Sequence, residues 1–431
     1  MQLFIVRVIY NFALLLLLTL GSPWWLFRLA TSDRFREGLG ERFFGPRAAL
    51  VARQPACPRI WIHAVSVGEV LAVSGLVREL QKRAPEFEVI VSTTTRTGQR
   101  LARERFGAER CFYFPLDFPW SVRAAFDRVQ PSALVLAESE LWPNVLTHCA
   151  RRRIPVAVVN ARVSNRSLPR YLRLGILWRP FLRLLSLVQA QTPEDARRLV
   201  AIGVPGDRVS VGGNLKFDVR APLDVPVAGL LRQAMASSAK LLVCGSTLEG
   251  EEAQLLEAWP RVVREVPGAV MLLAPRHPER FEKVAALLQA SMVPWTRRSV
   301  WMANPVALVD GTVFLLNSIG ELAAIYGQAA AAFVGGSLVA AGGHNPLEPA
   351  QFGVPVATGP NYENFRDIVE LLIEQEAIRI VQPETLAADL IALLQGESVV
   401  TGANAKRVFE AQAGATTRAA DGILKLPGVG L

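Results

Sequence analysis

From Arg59 onward, short β-branched apolar runs alternate with longer stretches whose apolar residues recur every three or four positions. The short runs predict buried strands over 59–64, 89–93, 133–137, 155–159 and 187–190. The longer ones predict helices over 70–83, 97–106, 120–129, 141–152 and 193–201. The rhythm lapses across 212–239, where Pro222 and Pro226 suggest a hinge. It resumes with strands expected over 240–244, 270–274, 306–309, 331–334, 354–357 and 379–381, and helices over 251–265, 278–289, 319–328 and 365–376. Such alternation implies parallel sheets covered on both faces, so the fold class is α/β, with two doubly wound domains joined by a linker. No short sequence repeat relates the halves. Ligands of these folds sit beyond the carboxyl ends of the strands, and two domains can face those ends across a central cleft.

The N-terminus departs from this pattern. No charged residue occurs from Val8 to Phe27, and Leu14–Leu18 is unbroken leucine. Spanning a bilayer takes ~20 apolar residues, so the segment is just long enough. Trp24 and Trp25 stand where interfacial aromatics would, and Arg28, Arg34, Arg36, Arg42 and Arg47 follow, which places the body of the protein on the cytoplasmic side. The arginines and the lack of a small-residue cleavage motif argue against a cleaved signal peptide. Asn11, Gly21 and Pro23 weaken a full span, so a helix lying in one leaflet is the alternative.

Composition narrows the partners. Apolar content of 51% suffices for large cores, and a net charge of +9 points to acidic partners. No RNA-recognition signature or aromatic-basic interleave is present, so nucleic acid is not expected. Cys57, Cys111, Cys149 and Cys244 form no Cys-x-x-Cys pair, which argues for a reducing compartment without structural zinc or disulfides. Arg151, Arg152, Arg153, Arg162, Arg166, Arg170, Arg173, Arg179 and Arg183 make a basic region, and 168–185 mixes arginine with Leu, Trp and Phe. Solvated helix faces explain most such runs; an anionic membrane surface or a phosphorylated lipid suits this one.

The candidate chemistry clusters at expected strand ends. Gly335-Gly336-Ser337, Gly342-Gly343-His344-Asn345-Pro346-Leu347-Glu348 and the Gly353-Val354-Pro355 turn read as strand, glycine loop, helix and strand. Glycines let a backbone approach a ligand, a helix starting near Pro346 would offer N–H groups to a phosphate, and Glu348 would accept from a ribose diol. An ordinary βαβ turn is the alternative. Glu69 follows the loop His63–Gly68 in a first helical turn, where the dipole favours its charged form and suits it to accept a proton; simple capping is the alternative. His63 reads as a core histidine. Glu138 and Glu140 follow a strand and, in extended chain, point to one side, with helix capping fitting Glu140 better. Lys216 lies at the hinge and would neutralise an anionic donor, unless it is a plain surface lysine. Arg276, between Pro275 and the next helix, forms a phosphate clamp, and Ile319-Gly320-Glu321 is a weaker glycine-led helix start.

With these motifs assembled, the chain closely resembles the 3-deoxy-D-manno-octulosonic acid (Kdo) transferases of Gram-negative bacteria. The resemblance rests on the N-terminal segment, His63–Glu69, Glu138–Asn144, Val159–Arg166, Asn214–Asp218, Pro275–His277 and Gly342–Ala350. It implies a GT-B fold of two Rossmann-like domains: an anchor over 1–28, an acceptor-side domain over 29–212, a hinge over 213–239 and a CMP-sugar domain over 240–431. It also implies inverting transfer of Kdo from CMP-Kdo to a lipid A precursor at the inner membrane, with no metal and no cofactor. By the same resemblance Glu69 is the general base, and Glu138 and Lys216 stabilise the transition state. Pro275, Arg276, Ile319, Gly320, Glu321, Asn345, Pro346, Leu347 and Glu348 contact CMP. The alternatives are a GT-B enzyme using a UDP-sugar, an epimerase among them, and a non-catalytic glycolipid binder.

Overall fold

All five residues of β1 (Arg59–His63) are buried, as expected of a strand covered on both faces. In the computed structural model β1 is flanked on both sides by parallel strands. The structure describes residues 2–32, 36–46, 57–138, 141–165, 167–219, 225–396 and 399–429. Glu140, Arg166, Arg34, Arg47 and Pro222 therefore lie outside the described residues. The chain divides into two units, Met1–Val219 with Gln412–Leu431, and Arg220–Ala411.

The first unit carries a seven-stranded sheet of order β3-β2-β1-β4-β5-β6-β7. Its other strands are β2 (Glu88–Thr93), β3 (Cys111–Tyr113), β4 (Pro131–Ala137), β5 (Val156–Ala161), β6 (Leu187–Ala190) and β7 (Val209–Val211). The chain steps outward from β1 to β3 and returns to β4 on the other side. That reversal opens a crevice at the carboxyl ends of β1 and β4, where doubly wound folds bind ligands.

The second unit has its own seven strands in the order β10-β11-β9-β8-β12-β13-β14. These are β8 (Lys240–Thr247), β9 (Ala269–Pro275), β10 (Trp295–Arg297), β11 (Val313–Leu315), β12 (Ala331–Val334), β13 (Val356–Thr358) and β14 (Arg379–Ile380). Here the reversal lies between β8 and β12.

Several expectations need correction. The apolar run 306–309 is not a strand of the sheet: Val306 and Val309 are exposed, and Leu308 makes only an isolated bridge to Met235. The sheet takes Val313–Leu315 instead, all three buried and paired with β9 and β10. The short strands β3, β7 and β10 escaped notice because three residues carry no periodicity. The expected hinge contains a helix, Pro226–Ala234, whose Val227, Ala228 and Leu231 are buried in the core of the second unit.

The last segment does not stay with 240–431. The helix Ala415–Leu424 buries Ala415, Ala419, Ala420 and Ile423 in the core of the first unit, beside residues of β1 and the helix Val67–Arg83. Asp218 caps it, accepting the N–H of Gly414 at 2.7 Å and that of Thr416.

Candidate active site

In the first unit the loop after β1 leads into the helix Val67–Arg83, whose first turn carries Glu69. The Glu69 side chain is buried, its Oε2 accepting from the Val65 N–H at 2.8 Å and its Oε1 from the Ser66 hydroxyl at 3.0 Å. Those bonds hold the carboxylate at the carboxyl end of β1. Capping and a chemical role are thus compatible in one side chain. His63 is fully buried, stacked on Phe114 with ring centroids 3.7 Å apart and bonded through Nδ1 to Ser92. Burial drives its pKa down to about 3, so it is a neutral core residue.

Glu138 follows β4 with φ of 57°, a left-handed conformation that few non-glycine residues adopt. The chain therefore turns at Glu138, which is not extended there as expected. Lys216 Nζ lies 3.7 Å from Glu138 Oε1. The turn Leu215–Asp218 places that lysine: Leu215 and Phe217 are buried on either side of it. The Leu215 N–H donates to Asn160 Oδ1 and the Lys216 N–H to Asn214 Oδ1, each at 3.0 Å. Asn160 itself has φ of 58° at the end of β5. Sequence reasoning assigned Asn160 no role. A lone amide in the run Val156–Ala161 was the available clue.

In the second unit the loop after β8 likewise leads to a glutamate in a first helical turn, Glu251, which opens the helix Glu251–Glu265 directly after Gly250. Glu251 is fully buried. Its carboxylate accepts four backbone N–H groups, from Leu248 at 2.8 Å, Gly336 at 2.7 Å, and Ser337 and Leu338 each at 2.9 Å. The N–H groups at the start of the glycine loop are therefore occupied by the protein's own carboxylate. A Cβ on Gly335 would meet Thr247 Cα at 2.7 Å, so glycine is required there. Sequence analysis gave Glu251 no part.

Arg276 follows β9 directly, its N–H donating to the Thr247 carbonyl at 3.0 Å and its side chain exposed. Burial raises the Glu348 carboxyl above the usual range, opposed by the Arg276 charge and a hydrogen bond with Asn345. His344 sits in the same cluster: its Nδ1 is 2.8 Å from the Gly335 carbonyl, and burial together with Arg276 disfavours a second proton. The helix expected at Pro346 is only Leu347–Ala350. Pro346 and Pro349 lack N–H groups, and Asn345 Oδ1 takes that of Leu347 at 3.1 Å, so this is no open helix N-terminus. Pro346 and Leu347 are buried, leaving Arg276, His344, Asn345 and Glu348 as the polar groups of the cluster.

Ile319-Gly320-Glu321 follows β11, the neighbour of β9, so it and Arg276 occupy carboxyl ends of adjacent strands. Gly320 has φ of 90° and open space where a side chain would stand. Ile319 is exposed, whereas the Glu321 carboxylate is held by Arg298 at 2.6 Å and by the Ser318 hydroxyl. What this turn offers a ligand is backbone and the Ile319 side chain.

A family model described as 3-deoxy-D-manno-octulosonic-acid transferase (kdotransferase) matches residues 37–219. A 3-deoxy-D-manno-octulosonic acid transferase of Haemophilus influenzae is 36% identical over 80% of this chain and 80% of its own length. One of Bordetella pertussis is 35% identical over 93% of this chain and 94% of its own. The crystal structure of a UDP-GlcNAc 2-epimerase from Neisseria meningitidis aligns with a TM-score of 0.55 at 13% identity, covering 85% of this chain and 100% of that one. At that identity the likeness concerns the fold alone, and with two parallel-sheet units it is the GT-B fold. The chain belongs to the 3-deoxy-D-manno-octulosonic acid (Kdo) transferase family.

Proposed function

We propose that the family's reaction, transfer of Kdo from CMP-Kdo to a lipid A precursor, runs on this chain with the acceptor handled by the first unit and the donor bound by the second. The observation that best supports it is the Lys216–Glu138 pair at the end of β4, next to the end of β1 that carries Glu69. The acceptor hydroxyl gives its proton to Glu69 and its oxygen attacks the anomeric carbon from the face opposite CMP. The bond from that carbon to the phosphate oxygen breaks, and CMP leaves with the electron pair. Configuration inverts.

Charge builds in two places as this happens. The sugar becomes oxocarbenium-like, and Glu138, held by Lys216, lies on the side of the acceptor. The leaving phosphate gains negative charge, which Arg276 offsets, while Asn345 and Glu348 take the ribose and the exposed turn at Ile319-Gly320-Glu321 lines the nucleotide. Removing one well-placed charge of this kind typically costs about a hundred- to a thousand-fold in rate.

The helix Gln2–Leu20 is long and apolar enough to cross a membrane. The same reading places the chain at the inner membrane with both units on the cytoplasmic side, supported by the arginines beyond the apolar segment. Incubating purified protein with CMP-Kdo and lipid A precursor, followed by mass spectrometry, tests the proposal. An acceptor heavier by one or more Kdo residues is expected. Transfer from UDP-sugars in place of CMP-Kdo would overturn it.

A further inference from the structure

The apolar N-terminal segment begins and ends at neighbouring points of the first unit. On the way in, Tyr10 Oη donates to Asp117 Oδ2 at 2.9 Å, and Arg7 Nε donates to Asn144 Oδ1 at 3.2 Å. Asn144 Nδ2 donates to Asn11 Oδ1 at 2.8 Å. On the way out, the Arg42 carbonyl accepts the Leu116 N–H at 3.0 Å, and Glu41 Oε2 accepts the Tyr113 N–H at 3.0 Å. Glu37 completes that attachment through the Tyr113 hydroxyl at 2.8 Å and Arg96 at 2.7 Å. Leu116 and Asp117 are consecutive residues, so the chain leaves the unit and returns to the same place.

The docked face of the helix Gln2–Leu20 is a stripe of Leu3, Val6, Arg7, Tyr10 and Asn11, confined to its first three turns. Its polar members meet two buried partners, Tyr10 at Asp117 and Arg7 and Asn11 at Asn144, and Asp117 also accepts the N–H groups of Asn144 and Val145, each at 3.0 Å. Burial pushes the Asp117 carboxyl up to about 6, against the stabilising effect of those donors. A turn carrying Arg7, Tyr10 and Asn11 cannot keep these bonds and also sit in hydrocarbon. The opposite face is different. Phe4, Ile5, Val8, Ile9, Phe12 and Leu17 are all exposed, as are Trp24, Trp25, Leu26 and Phe27 in the next helix, Ser22–Thr31.

We infer that this segment does not cross the membrane but lies in one leaflet as part of a lipid-facing surface that continues onto Leu172, Leu174 and Ile176. Between Phe12 and Arg36 there are too few residues for a crossing and a return, which together need about 40. What extends past the docked turns, Phe12 to Leu20, rises only about 13 Å as helix, the depth of one leaflet. The surface is joined at Gln2, whose side chain donates to the Ile176 carbonyl at 3.4 Å. Exposed Arg170, Arg173 and Arg179 border Leu172, Leu174 and Ile176, which fits an anionic lipid monolayer. Arg42 is excluded from that role, because its guanidinium lies over the Tyr113 ring and donates to the Thr94 carbonyl.

This inference deepens the membrane part of the proposal above and is independent of the transfer chemistry. The test uses the full chain with one protease-cleavable tag ahead of Gln2 and a second after the C-terminus, in sealed inside-out inner-membrane vesicles. Loss of both tags without detergent is expected. Protection of the N-terminal tag alone would overturn the inference, and so would recovery of the chain as a soluble oligomer. Ile176→Asp, at an exposed position, is expected to weaken binding to phosphatidylglycerol vesicles about tenfold; unchanged binding would remove the second element from the surface. An inactive protein that still loses both tags would sink the transfer proposal and leave this one standing.

Discussion

Lys216 Nζ stands 3.7 Å from Glu138 Oε1, and both residues are held by backbone that has little freedom to move. Glu138 occupies a left-handed conformation, and Lys216 rides on a turn pinned by Asn160 and Asn214. Both side chains are partly exposed, so the pair contributes at most about 1 kcal/mol to stability. Lys216→Met is accordingly expected to melt close to the parent protein while losing about a hundred- to a thousand-fold in transfer rate. Thermal denaturation and steady-state kinetics on one preparation decide it. A large drop in melting temperature would show that the pair is structural.

Glu69→Gln keeps the shape of the side chain, and its one carbonyl oxygen can still accept from the Val65 N–H while its NH2 donates to the Ser66 hydroxyl, but it cannot take a proton. Transfer should fall by about a hundred- to ten-thousand-fold, with CMP affinity unchanged by calorimetry. A folded variant that still transfers at the parent rate refutes the base assignment.

Arg276 presents an exposed guanidinium in the cluster of Asn345 and Glu348. Arg276→Ala should weaken CMP binding about ten- to a hundred-fold, the worth of a charged hydrogen bond. Arg276→Lys should recover part of that loss. Equal affinity in all three proteins would exclude the phosphate role.

Glu251 is bound by four N–H groups with no access to water. Glu251→Ala leaves these donors without a partner and should cost about 3 kcal/mol or more, read from the denaturant midpoint. If the variant is as stable as the parent, the glycine loop is organised by something else.

His63 supplies a pH signature. Its pKa in the fold, about 3, lies below the ordinary histidine value of 6.5, so the unfolded chain takes up the proton first. The stability linked to this group is complete above about pH 6.5 and is lost as pH falls towards 3. Replacement by Gln should flatten that part of the stability-versus-pH curve, measured by chemical denaturation between pH 4 and 7. An unchanged slope would mean that His63 protonates without cost.

Most strands and helices were legible because their cause is local: alternating apolar runs long enough to show a period. The strand-end positions of Glu69, Glu138 and Arg276 were legible for a related reason, since each directly follows a strand or the turn after one. Three-residue strands such as β3 and β10 were not, because neighbours across the sheet define them. The run 306–309 misled for the converse reason, being apolar without being paired.

Taken alone, the amino-acid order determined two parallel-sheet units, an apolar N-terminal segment and the polar residues at the strand ends, because periodicity and motif spacing are properties of neighbouring residues. Tertiary structure alone decided that Glu251 fills the glycine loop, that Ala415–Leu424 returns to the first unit, and that the N-terminal segment is tied at both ends to Leu116 and Asp117. Each of these depends on groups far apart in the chain competing for one hydrogen bond or one apolar surface, and that competition is settled only when the fold brings them together.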